Sequence, residues 1–287
     1  MHPDVVELRD FYARPLGGMV RRLLAHRIRA RWRRTHGATL MGLGFATPYL
    51  TTFRAEAARV GALMPASQGA VVWPSTGAVH TVVVDEENLP LPDASVDNLL
   101  AVHCLEASEH ARALLREIWR VLKPDGRIII VVPNRRGVWA RLDTTPFGHG
   151  QPYSPTQLKR LLSEALFTPI DLGAALYLPP IDRPLVLKSA MAMERLGARL
   201  WPAFAGVIMV EAKKELMAPI GKVSRIRVLR ELVPARGVPA HRSTQDRCTR
   251  DGLQATGAGR CLIEACPSPH RPSWTSKPRH PSLLRRD

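Results

Sequence analysis

The run Leu115-Arg116-Glu117-Ile118-Trp119-Arg120-Val121-Leu122-Lys123-Pro124-Asp125-Gly126-Arg127-Ile128-Ile129-Ile130-Val131-Val132 contains a helix, a turn and a buried strand. Ala111, Leu114, Leu115, Ile118, Trp119 and Leu122 recur at helical spacing and give the helix one apolar side. Lys123-Pro124-Asp125-Gly126 stops it, because proline and glycine end a helix and turn the chain back. Arg127 to Val132 is then apolar without alternation, as expected of a parallel strand covered on both faces. Strand and helix in alternation mean an α/β domain, here a doubly wound, mostly parallel sheet of seven strands.

The same pattern extends to both sides. Upstream, Val96 to His103, His80 to Val84 and Ala70 to Trp73 read as strands. Ala38-Thr39-Leu40-Met41-Gly42-Leu43-Gly44 reads as a buried strand breaking into a glycine loop. Leu50, Phe53, Ala57, Val60 and Leu63 then predict a helix over residues 49 to 63. Two helices precede this unit, over residues 4 to 12 and 16 to 32. The second sets Leu16, Met19, Val20, Leu23, Leu24, Ile28 and Trp32 against a face of arginines from Arg21 to Arg34, expected to be solvated. Downstream, Ser154 and Pro155 open a helix over residues 155 to 166. Strand-like segments at Pro169 to Leu178 and Ala205 to Glu211 flank a helical stretch over residues 184 to 200. Beyond about Pro219 the apolar periodicity gives way to Arg, Pro, Ser, Thr, His and Gly. The organisation expected is N-terminal helices (residues 1–36), an α/β domain (37–218) and a disordered basic tail (219–287).

Composition narrows the function classes. Hydrophobic residues are 45% of the 287, enough for a large core. The net charge of +16 suits nucleic acid or an anionic surface, but the basic residues have no interleaved aromatic platform, so no specific nucleic-acid partner is expected. The 4 cysteines form no CxxC pair, which argues against zinc and against a disulfide framework. No apolar run reaches the roughly 20 residues of a membrane span, and the first residues lack a signal pattern. A cytoplasmic protein is the expectation.

Asp85-Glu86-Glu87-Asn88-Leu89-Pro90-Leu91-Pro92-Asp93-Ala94-Ser95-Val96-Asp97 resembles the stretch between the third and fourth strands of class I S-adenosylmethionine-dependent methyltransferases of the type 11 kind. Val102-His103-Cys104-Leu105-Glu106 resembles the end of their fourth strand, and Leu115 to Arg127, with Pro133-Asn134, the helix, turn and fifth strand that follow. The strand order carries the resemblance from about Thr39 to Glu211. It implies S-adenosylmethionine as cofactor, a small-molecule methyl acceptor, and a cofactor site made of Gly42, Leu43, Gly44, Phe45, Ala46, Trp73, Asp85, Glu86 and Leu89. Asp85 stands where the family has an acid or amide reaching the adenine amino group, with Leu89 nearby. His103 is the candidate general base. Glu106 and Glu109 are placed at the same mouth, and His149 and Tyr153 in a loop, Asp143 to Tyr153, that resembles an acceptor-side loop before a helix.

Two positions depart from the family pattern. The glycine loop lacks its leading acid, which Gly42 replaces, and retains Gly44 as its one clear glycine. The strand taken as second ends in Trp73-Pro74 where an acid would hold the ribose. An active methyltransferase and a catalytically inactive binding or scaffolding module with a degenerate loop therefore remain the competing readings.

Overall fold

The structure is a computed structural model and describes residues 3–215. The expected basic tail lies outside the described residues. The elements run α1 (Val5–Ala13), α2 (Pro15–Arg31), β1 (Thr39–Gly44), α3 (Thr47–Leu50), β2 (Arg59–Pro65), β3 (Thr81–Val84), β4 (Val96–Val102), α4 (Ala111–Val121), β5 (Leu122–Pro133), α5 (Pro155–Glu164), β6 (Phe167–Ala175), α6 (Pro184–Leu200) and β7 (Val207–Lys214).

The strands form one sheet of seven in the order β3-β2-β1-β4-β5-β7-β6. Neighbours from β3 to β5 pair in parallel, whereas β7 runs antiparallel to both β5 and β6. This is the class I methyltransferase-like sheet. Strand order reverses between β1 and β4, which puts the crevice outside the carboxyl ends of those strands.

Side chains alternate between the faces, as the two-residue period of a strand requires. Leu100, Val102, Ile129, Val131, Val207 and Met209 pack with α1, α2 and α6. Leu99, Ala101, Ile128, Ile130, Ile208 and Val210 pack with α4 and α5. The N-terminal helices are thus part of one core. Local chemistry starts several helices. Asp4 accepts from the Val6 amide ahead of α1. Ser154 and Gln157 exchange side-chain-to-backbone bonds at α5, with Pro155 at its first position.

Three expectations need correction. The helix expected over residues 49 to 63 is a short α3 and a single 3-10 turn at Thr51–Phe53, followed by strand β2 from Arg59. Residues 70 to 73 carry no strand. Leu50, Phe53, Ala57, Val60 and Leu63 keep helical spacing across a break, and that coincidence masked β2. The residue at the carboxyl end of β2 is therefore Pro65, not Trp73. The arginine face of α2 is also only partly solvated. Arg21, Arg22, Arg33 and Arg34 are exposed, while Arg27 pairs with Glu194 at 3.0 Å, Arg31 with Asp171 at 2.5 Å, and Arg29 with Glu56.

Candidate functional site

At the switch point β1 ends on Gly44, whose φ of +74° is one that only glycine adopts at little cost. A β-carbon there would sit 2.5 Å from the Val102 carbonyl oxygen and 2.8 Å from Cys104 Cβ. The Phe45 amide donates to that same carbonyl at 2.9 Å. Gly42 is needed for a different reason: its β-carbon would meet Ala46 Cβ and Leu50 Cδ1, both at 2.7 Å, where the loop folds back on its strand. The loop Gly42, Leu43, Gly44, Phe45, Ala46 is buried throughout.

What buries it is aromatic. Tyr12, from α1, stacks on Phe45 with ring centroids 5.5 Å apart and meets Tyr49 edge-on. Its hydroxyl lies 2.9 Å from the Tyr49 hydroxyl and 2.9 Å from His103 Nε2. His103 leaves the end of β4 with φ +52° and is buried, and its carbonyl accepts from Gln68 Nε2 at 2.8 Å. Its other ring nitrogen, Nδ1, is 3.4 Å from Glu106 Oε1. Neither carboxylate oxygen of this buried glutamate has a hydrogen-bond partner among the described residues. One proton arrangement serves the chain: Tyr49 donates to Tyr12, Tyr12 to Nε2, and Nδ1–H faces Glu106. Burial pushes the phenols of Tyr12 and Tyr49 well above their ordinary range, so both stay protonated donors. The Cys104 thiol is likewise raised by burial, then by Glu86 and Glu106, and is inert.

The opposite end of the crevice is open and polar. A cleft of about 330 Å³ lies between the ends of β2 and β3 and the segment after β4, with Pro65, Ala66, Asp85, Glu86, Glu109 and His110 on its walls. That volume is at the lower end of ligand clefts, roughly 300–1,000 Å³. Asp85 is exposed, and its Oδ1 accepts from the Glu87 amide at 3.0 Å, which turns the chain after β3. Glu86 accepts from the Ser108 hydroxyl at 2.9 Å. Leu89 is buried, its amide donating to Glu117 at 3.1 Å and its carbonyl accepting from Arg120 at 2.9 Å. Arg120 also holds the Leu91 carbonyl and Asp93, so α4 staples the whole β3–β4 connection.

The sequence-derived residues thus fall into three places. Gly42 to Ala46 and His103 lie at the β1–β4 end; Asp85 and Glu86 lie at the cleft, with Leu89 anchored behind it. Trp73 is brought to neither. Its amide donates to Thr81 at the amino end of β3, its ring meets His80 edge-on, and Arg54 lies 5.6 Å over it. Tyr153 packs below the site, its hydroxyl 3.4 Å from the Leu105 carbonyl and its pKa pushed up to about 12 by burial and by Glu106. His149 is turned to the Asp143 carbonyl. Reading the sequence missed Tyr12, Tyr49 and Gln68. Tyr49 had a signal, standing directly behind the glycine loop; the other two reach His103 from 91 and 35 positions away.

A family model described as a methyltransferase domain matches residues 27–130. Among solved structures, a Thermotoga maritima S-adenosylmethionine-dependent methyltransferase, a possible histamine N-methyltransferase, is similar with a TM-score of 0.55 and 15% identity over 74% of this chain and 96% of that one. A chain from the Haloferax volcanii complex of a methyltransferase activator with a putative methyltransferase is similar with a TM-score of 0.54 and 19% identity over 73% of this chain and 98% of that one. At such identities the likeness is one of fold. No curated protein matches in sequence. The match over residues 27–130 and the strand order together give the chain a class I methyltransferase-like fold.

Proposed function

We propose that the protein is an S-adenosylmethionine-dependent methyltransferase of the cytoplasm, acting on a small-molecule acceptor. The observation that carries this reading is the open cleft at the carboxyl ends of β2 and β3, with Asp85 and Glu86 on its wall, beside a β1 loop that only Gly44 can make. The residues fit the adenosine end of the cofactor, with Asp85 toward the purine and Pro65 standing where a ribose-binding acid is usual. They fit the methionyl end once Tyr12 leaves Phe45, because α1 covers the loop in this conformation. Helix α1 is then a lid, and closed and open states exchange as the helix lifts.

The cofactor supplies an electrophilic methyl group, and most of the remaining work is holding the acceptor in line with it. Removing Tyr12 from the site frees Nε2 of His103, the candidate base for the acceptor's proton. Glu106, at Nδ1, orients the ring and stabilises its protonated form.

Calorimetric titration with S-adenosylhomocysteine tests the reading. The wild type should bind, and Tyr12→Phe, which keeps the ring but breaks its hydrogen bonds, should bind up to about tenfold more tightly because the closed state is weakened. Absence of binding by both, at millimolar ligand, would overturn the assignment in favour of a binding or scaffolding module.

A further inference from the structure

Helix α6 turns one side to the molecule and leaves the other uncovered. Its inward residues are Ala190, Glu194 and Gly197. Glu194 accepts from the Tyr177 amide at 2.6 Å and from Arg27 at 3.0 Å, and Gly197 packs so closely that a β-carbon would lie 2.4 Å from Tyr177 Cβ. The outward side carries two rows. Leu185, Leu196 and Leu200 follow one line at spacings of eleven and four, with Leu185 81% exposed. Lys188, Arg195 and Arg199 follow the adjacent line at spacings of seven and four, all exposed. Directly after the helix, Trp201 and Phe204 are 56% and 55% exposed. Large apolar side chains exposed together in this way mark an interaction surface rather than ordinary scatter.

We propose that this outer face of α6, with Trp201 and Phe204, docks the protein onto an anionic lipid surface. The helix is not a membrane span: among the described residues no helix is long and apolar enough to cross one. An apolar row beside a basic row, ended by exposed aromatics, is instead the chemistry of a helix lying in the interface, with its leucines among the acyl chains and its cations at the headgroups. Charge selects this occupant over a second copy of the chain. A two-fold contact would bring the same patch against itself and so put two copies of Lys188, Arg195 and Arg199 into one interface. The one carboxylate within α6, Glu194, faces inward and is already paired, so it cannot offset that repulsion. The Arg-rich sequence beyond residue 219 offers no better complement. An anionic bilayer matches both rows. The exposed arginines Arg21 and Arg22 of neighbouring α2 add to the positive charge on this side without supplying apolar contact. The inference does not depend on whether the crevice binds cofactor.

Vesicle flotation of the full chain tests it, with phosphatidylcholine vesicles compared to phosphatidylcholine–phosphatidylglycerol mixtures. The wild type should float with the anionic vesicles and not with the neutral ones. The triple variant Leu196→Ser, Leu200→Ser, Trp201→Ser should lose about tenfold or more in partitioning, with an unchanged melting temperature, since all three side chains are exposed. Equal flotation of the triple variant would overturn the proposal, because charge alone would then be holding the protein. No flotation of the wild type would overturn it as well. So would light scattering that finds a dimer which the triple variant turns into a monomer, without vesicle binding; that result gives the face to a second copy.

Discussion

The two ends of the crevice are built on opposite principles. At the β3–β4 end the backbone is fixed from behind, by Arg120 and Glu117 on α4, and the front is left to solvent as a polar cleft. At the β1–β4 end the backbone is fixed by its own geometry at Gly44, and the front is filled by Tyr12, Phe45, Tyr49 and His103. Under the proposed function the first end takes its ligand as it stands. Under the same reading the second trades its aromatic packing for the ligand, so affinity there depends partly on how stable that packing is.

The largest effect should come from the rigid point of the closed end. Gly44→Ala puts a β-carbon 2.5 Å from the Val102 oxygen in a left-handed residue. We expect a loss of about 3 kcal/mol in urea unfolding, combining backbone strain and overpacking. A loss below about 1 kcal/mol would mean that the loop re-forms without the left-handed turn, and that the end is less fixed than described.

The open end should respond next, and with a pH signature. Arg120→Ala removes bonds to the Leu89 and Leu91 carbonyls and to Glu117 and Asp93, for an expected loss of about 1–3 kcal/mol. The Arg120 guanidinium, helped by the Leu89 amide and opposed by burial, holds the Glu117 carboxyl below its usual 4.5. A folded pKa below the unfolded one gives stability that is present above that value and is lost as pH falls through the folded pKa. The difference between wild type and Arg120→Ala should therefore be constant from neutral pH to about 4.5 and shrink below it. A difference that stays constant into more acidic solution would show that the backbone carbonyls, not Glu117, are what Arg120 serves.

How much of this was readable beforehand follows the same division. Residues 111–132 were legible because an amphipathic helix, a proline–glycine stop and an unbroken Ile-Ile-Ile-Val-Val run agree with one another. Gly44 was legible because a glycine after an apolar run marks a turn. Strand β2 was not, since Gly61 and Ala62 carry little strand propensity and helical spacing ran straight through the break before it. The open end was readable because its residues are neighbours in sequence. The closed end was not, because its covering residue comes from α1, and a hydrogen bond across 91 positions leaves no local trace.

Tyr12→Phe probes the closed end more gently than Gly44→Ala. It removes the bonds to Tyr49 and His103 Nε2 while leaving the stacking on Phe45, and should lower stability by about 1–2 kcal/mol. His103→Ala should be non-additive with it, because both changes break one bonded chain. Additivity within experimental error would mean that the hydroxyl and the imidazole act separately, and that α1 is held by packing alone.

The smallest effect on the fold should be that of Asp85→Ala, and this variant separates the two ends most cleanly. Asp85 is exposed, and its side chain accepts from the Glu87 amide two residues on, a local turn contact that water replaces at little loss. Stability should change by no more than about 0.5 kcal/mol. If the cleft takes the adenosine end of the cofactor, the same substitution should weaken S-adenosylhomocysteine by about 1 kcal/mol or more, through the polar group left unpaired. The variant therefore moves affinity while leaving the melting curve in place, whereas Tyr12→Phe should lower stability and raise affinity together. Unchanged affinity in Asp85→Ala, beside raised affinity in Tyr12→Phe, would place the bound molecule wholly at the β1–β4 end and remove the open cleft from the cofactor site.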